Sequence, residues 1–194
     1  MSIEQSDGFS QQELQYIQQI REKFKKLIGR VCEIKDPQTQ EQITNYFQEL
    51  QLNLDFFTQA PESKYDEVIT DGLTTCPSPS TKDYLIQMVQ DTNSYVYGFA
   101  SKGIDWGQTD SDLCQLPKRD LLGELVNTNT RLFNLTLAFG NDNWLISLPD
   151  GQLSPRQFVS KITLRQIYQQ GINVGLMHRL GIAKPVSYVE RWGE

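Results

Sequence analysis

A chain of 194 residues and 22.3 kDa is long enough for one full hydrophobic core, and a single domain is the default expectation. With 38% hydrophobic and 22% charged residues, its composition is that of a globular protein and not of a disordered one. A net charge of −6 and an isoelectric point near 4.9 argue against nucleic acid or an anionic membrane as the main partner, because both demand a basic surface.

The local basic run Arg21, Lys23, Lys25 and Lys26 is interleaved with Glu22 and Phe24 and reads as the solvated face of a helix. Cys32, Cys76 and Cys114 are odd in number and far apart, with no CxxC pair. That removes a thiolate metal knuckle or a dithiol redox motif and favours reduced thiols in a cytoplasmic protein. The N-terminal stretch is polar and acidic, without the apolar segment of a secretory signal, and no apolar run approaches the length of a membrane span.

Taken in order, Ser10 with Glu13 three residues on has the form of a capping box opening a helix. Leu14, Ile17, Phe24, Leu27 and Ile28 give that helix an amphipathic stripe, interrupted at Gly29. The pattern breaks at Asp36-Pro37, and a second helix is predicted from Thr39 to Gln59, with Ile43, Phe47, Leu50, Leu54 and Phe57 on one face. Pro61 stops it. Residues 61–80 are turn and loop chemistry around Pro77 and Pro79, with a weak strand signal at 67–69. The amphipathic helices on either side each need a partner, so this is a connection within one domain.

A third helix starts at Ser80 or Thr81, lines one face with Leu85, Met88, Thr92, Tyr95 and Phe99, and ends at Gly103. After a polar connection carrying Trp106, Pro117 opens a fourth, striped by Leu121, Leu125, Leu132, Leu135 and Phe139 and closed by Gly140. A turn-rich loop then surrounds an apolar insert, Trp144 to Leu148, placed to plug the end of a bundle. The last long helix is capped by Ser154 with Pro155 at its first position, and it stops at Gly181. Phe158, Ile162, Ile172, Leu176 and Leu180 mark its apolar face, on which Arg165 and Gln169 also fall. The sum is an all-α chain: an antiparallel four-helix bundle over 37–185, with an N-terminal extension helix within 1–36, long connecting loops and a tail at 186–194 whose Trp192 packs back.

The closing helix, QIYQQGINVGLMHRLGIAKP, resembles that of the DinB-like superfamily, metal-binding four-helix bundles that include the YfiT-type thiol transferases. Gly171, Leu180-Gly181-Ile182 and Pro185 match its frame, and LIQMVQDTNSYVYGF is similar to the family's second bundle helix. The family places two histidines four apart in the closing helix and a third in that second helix. Here Arg165 and Gln169 stand at the first two positions, and Gln87 or Met88 at the third. An arginine cannot be deprotonated to bind a metal, and the single histidine of the chain, His178, lies more than two turns past Gln169. The resemblance therefore implies the fold without its metal centre, and no cofactor is expected.

Three functions remain open. The preferred one is a non-enzymatic bundle that binds an unidentified ligand or protein and, as many members of that family do, forms a homodimer. The second is a metal-independent transferase or hydrolase with Arg165 clamping an anion, in a pocket drawn from Met88, Asn127, Arg165, Tyr168 and Gln169. The third is a helical adaptor outside the family that docks through residues 10–29. Against the pocket stands a plain alternative, in which Arg165 pairs with Glu124 or Asp91 inside a buried polar network. His178 beside Arg179 suits the helix dipole better than general-base work. Asn127, Thr128, Asn129 and Thr130 form a polar turn in an apolar helix, with some of them facing inward. Tyr95, Tyr97, Phe99, Trp106 and Trp144 are read as core and rim packing.

Overall fold

The computed structural model describes residues 8–67, 80–101, 111–137, 145–148 and 151–193. Among them are five long helices: α1 (Gln11–Gly29), α2 (Pro37–Gln59), α3 (Thr81–Ser101), α4 (Lys118–Leu137) and α5 (Pro155–Leu180). A short α6 (Val186–Trp192) follows. α2 packs principally on α5, α3 on α4, and α1 on α4, while smaller contacts between α3 and α5 and between α1 and α2 close the assembly. No described helix is long and apolar enough to cross a membrane.

Local chemistry sets the helix ends. The Ser154 hydroxyl accepts the Gln157 amide, the Gln157 side chain accepts the Ser154 amide, and Pro155 takes the first helical position, so α5 opens on a complete capping box. It closes on Gly181, which adopts the left-handed conformation (φ +66°) that a Cβ disfavours. Asp36-Pro37 is a start and not a break: the Asp36 carboxylate accepts the Thr39 amide at 2.8 Å and Pro37 begins α2, two residues ahead of the expected Thr39. At α1 half of the box forms. Ser10 accepts the Glu13 amide at 3.1 Å, but the Glu13 carboxylate turns into the protein.

One core cluster draws on all five long helices, including Ile17, Phe24 and Leu27 of α1. Edge-on and tilted rings of Phe24, Phe47 and Phe133, with centroids 5.9 and 6.0 Å apart, join α1, α2 and α4. The stripe residues expected on α2 and α3 are all buried. On α1 the buried face is rotated slightly: Tyr16 and Ile20 go in, Leu14 is exposed and Ile28 is half-buried. The apolar insert expected as loop contains a strand, β1 (Ile146–Leu148). It pairs antiparallel with β2 (Gly151–Leu153), Ile146 opposite Leu153. Ile146 is fully buried in the main core, which a three-residue alternation is too short to announce. Cys76, Gly103, Trp106, Phe139, Gly140, Trp144 and all but the first residue of the strand signal at 67–69 lie outside the described residues.

Candidate functional site

Arg165 and Gln169 stand one turn apart on α5 and do different things. Arg165 reaches α3, where its Nε donates to Asp91 Oδ2 at 3.0 Å, and its guanidinium carbon lies 5.4 Å from the centre of the Tyr168 ring. Asp91 also accepts from Gln87 Nε2 at 2.8 Å. Of the two carboxylates within reach of the sequence argument, Asp91 is thus the partner; Glu124 accepts instead from the Thr128 hydroxyl at 3.3 Å. Gln169 is buried, with an Oε1 that makes no hydrogen bond. Met88 is buried on α3, whereas Tyr168 and Asn127 open to solvent, so the five candidate residues divide between core and surface.

Behind them the interior is polar in places. Tyr46 donates its hydroxyl to Asn129 Oδ1 at 2.8 Å, Asn129 Nδ2 donates to the Leu125 carbonyl, and Thr92 bonds back to the Met88 carbonyl. Burial pushes the Tyr46 and Tyr95 phenols up, and the nearby Asp91 charge pushes the same way. Of the polar turn on α4, Thr128 and Asn129 face inward, Thr130 bonds its own helix at Val126, and Asn127 faces out. A guanidinium, an amide and either a second amide or a thioether now fill the positions at which the resemblance expects histidines. That donor set does not suit a divalent transition metal. His178, Arg179, Cys32 and Cys114 are all exposed.

Two assemblies escaped the sequence argument. Along the seam of α2 and α5, Asn53 Nδ2 donates to the carbonyl and the side-chain oxygen of Gln166, each at 3.0 Å, and Asn173 Nδ2 donates to Asn53 Oδ1 at 2.8 Å. Gln170 Nε2 donates to Glu49 Oε2 at 2.8 Å. α6 closes the seam: Arg191 meets Glu49 at 2.6 Å, Ser187 donates to Asp55 at 2.6 Å, and Trp192 Nε1 donates to Gln170 Oε1 at 3.2 Å. The signal was present as a helical stripe of its own, Gln166, Gln169, Gln170 and Asn173.

The second lies where α1 and α4 begin. Lys118 is fully buried, with its Nζ 3.0 Å from Glu13 Oε1 and bonded also to the carbonyl of Ala60 at the end of α2. The same Glu13 oxygen accepts the Glu62 amide at 2.8 Å. Burial pushes the Lys118 ammonium below its ordinary range. Beside this pair opens a polar cleft of about 450 Å³, lined by Gln12, Glu13, Gln15, Tyr16, Gln19 and Arg119 among others. Residue 13 resembled a cap, and no local signal joins it to residue 118, 105 positions away.

α5 buries Phe158, Ile162, Leu176 and Leu180, as its periodicity predicts, but is mixed at its middle. There the buried face holds Gln166, Gln169, Gln170 and Asn173, and the outer face presents Leu164 (66% exposed), Tyr168 (61%) and Ile167 (36%), with Gly171 and Gly175 one and two turns on. A Cβ built on either glycine would meet nothing within 4 Å. No protein-family model matches this chain, no curated protein matches it in sequence, and no solved structure matches it. Among the described residues, no group of three His, Cys, Asp or Glu side chains is placed to share a metal ion.

Proposed function

We propose that this chain is a non-catalytic binding protein, a DinB-like bundle without its metal centre, that works as a homodimer through the outer face of α5. The observation that carries it is the outer face of α5 at mid-helix, where Leu164, Ile167 and Tyr168 face solvent. α2 to α5 are taken as the four bundle helices, with α1 added along α4. A contiguous exposed patch of this kind, on the order of a few hundred Å², is the size of the largest patch on a typical monomer, and such patches are often functional. Its relief is self-complementary. The bulky residues occupy the first half of the face and the two glycines the second, so an antiparallel copy sets Leu164 over Gly175 and Tyr168 over Gly171. Paired copies bury less than about 1,200 Å² through this face alone, the size of weak, reversible contacts.

Sedimentation velocity across a micromolar concentration series tests it. The parent protein is expected to shift from monomer to dimer, while Leu164→Asp and Tyr168→Asp stay monomeric with unchanged circular dichroism. A parent that remains monomeric at hundreds of micromolar, or aspartate variants that dimerise as well as the parent, overturns the assignment.

A further inference from the structure

We propose, resting on the antiparallel α5 pairing, that Trp192 is a second anchor of the homodimer, reaching from the end of α6 over the Ile167–Gly171 edge of the other copy. α6 docks on the α2–α5 seam through Arg191, Ser187 and the Tyr188 ring, whose centre lies 5.3 Å from that of Phe56. Trp192 donates its Nε1 to Gln170 Oε1 at 3.2 Å, yet the residue remains 51% exposed. The Arg191 guanidinium lies 5.4 Å from the centre of the ring and holds it from one side. Tryptophan and tyrosine are among the residues enriched at the energetic centres of interfaces, and here Trp192 joins Tyr168 on the surface.

The place of the ring ties it to the pairing. Gln170, which holds the indole, is three residues from Ile167 and next to Gly171, so Trp192 borders the exposed patch. Setting Leu164 over Gly175 and Tyr168 over Gly171 puts the two-fold point between Gln169 and Gln170. Each Gln170 is then half a residue from that point, under about 1 Å of helical rise. The indole therefore stands at the middle of the interface and not at an end. A two-fold axis that reverses paired helices is perpendicular to the plane of the pair, so both copies carry α6 on the same side. With helix axes about 8–10 Å apart, each Trp192 comes within about 10 Å of the two-fold axis. Facing it at the same level and on the same side are Ile167 and Gly171 of the other copy. Ile167 is 36% exposed, and a Cβ built on Gly171 would meet nothing within 4 Å, so that edge has room for a ring.

The experiment is tryptophan fluorescence and sedimentation velocity of the full chain over one concentration series. Subtracting the spectrum of Trp192→Phe removes the chain's other two tryptophans. The expected result is a Trp192 emission that moves to shorter wavelength in step with the monomer-to-dimer shift, and that stays unmoved in monomeric Leu164→Asp. Trp192→Ala is expected to dimerise about tenfold more weakly, with unchanged circular dichroism. The emission of the parent needs no substitution in the core, and a role confined to holding α6 down would not move it with concentration. A parent that dimerises with unshifted Trp192 emission overturns the proposal, as does Trp192→Ala that dimerises as tightly as the parent. In either case the α5 pairing stands if Leu164→Asp still abolishes the dimer. A parent that stays monomeric at hundreds of micromolar overturns both.

Discussion

Replacing Lys118 by methionine keeps most of the buried stem and deletes the charge. Two groups are then stranded: the Glu13 carboxylate, 3% exposed, whose remaining donor is the Glu62 amide at 2.8 Å, and the Ala60 carbonyl that Lys118 also bonded. Breaking a buried pair from one side costs about 3–5 kcal/mol. The surviving Glu62 bond places the expected loss near the lower limit, about 3 kcal/mol, or a fall in Tm of about 6–12 °C for a chain of this length. Adding Glu13→Gln removes the stranded charge and keeps an acceptor for Glu62, so the double variant should regain about half of the loss or more, with a coupling of about 2 kcal/mol. Urea midpoints of the parent, both single variants and the double variant at neutral pH measure this. The pH profile adds a second reading. Because burial holds the Lys118 pKa below its unfolded value, the unfolded chain binds that proton more tightly. Parent stability should therefore rise with pH between the lowered folded value and the unfolded value of about 10.4, and Lys118→Met should lack that rise. A Lys118→Met protein within about 1 kcal/mol of the parent, or single substitutions that simply add, would refute the account.

Two further outcomes follow from the buried polar groups. Tyr16, Tyr46, Tyr65 and Tyr95 all have phenols pushed up by burial. The native state therefore holds those protons more tightly than the unfolded chain. Their contribution is constant below about pH 10 and lost as pH rises through the raised folded values; tyrosinate absorbance should appear together with loss of circular dichroism, and gradual ionisation of a folded protein would contradict it. Arg191→Met strands Glu49, a buried carboxylate, with Gln170 as its remaining side-chain donor. The expected result is a loss of about 2 kcal/mol and faster amide exchange across α6, and unchanged exchange there would show that the ion pair does not hold the helix down.

The helical skeleton was legible because its signals are local. Ser154-Pro155, Pro61 and Gly181 act within four residues of themselves, and the stripes on α2 and α3 follow from the 3.6-residue period alone. Misreadings came where one pattern supports two outcomes. Asp36-Pro37 breaks a helix or starts one, depending on whether the carboxylate finds the Thr39 amide. Three residues of alternation at Ile146–Leu148 become a strand because residues 151–153 pair with them. Of the candidate residues, the Arg165 pairing with Asp91 was among the partners the charges allowed, while the exposure of Asn127 and Tyr168 depended on the rotation of α4 and α5 about their own axes.

By itself, then, the sequence determined the long helices, the ends marked by Ser154-Pro155, Pro61 and Gly181, and most of the apolar faces, since caps, prolines and periodicity work through neighbours along the chain. Tertiary structure decided which polar groups meet. Glu13 finds Lys118 across 105 positions, Gln170 finds Glu49 across 121, and α5 turns its glutamines inward and Leu164 and Tyr168 outward. Periodicity placed Phe158, Ile162, Leu176 and Leu180 on the buried face of α5, but it could not say which partners the amides between them would find. That partnership is settled when Gln166 and Asn173 of α5 meet Asn53 of α2, because a buried hydrogen-bonding group without a partner costs more than an exposed leucine.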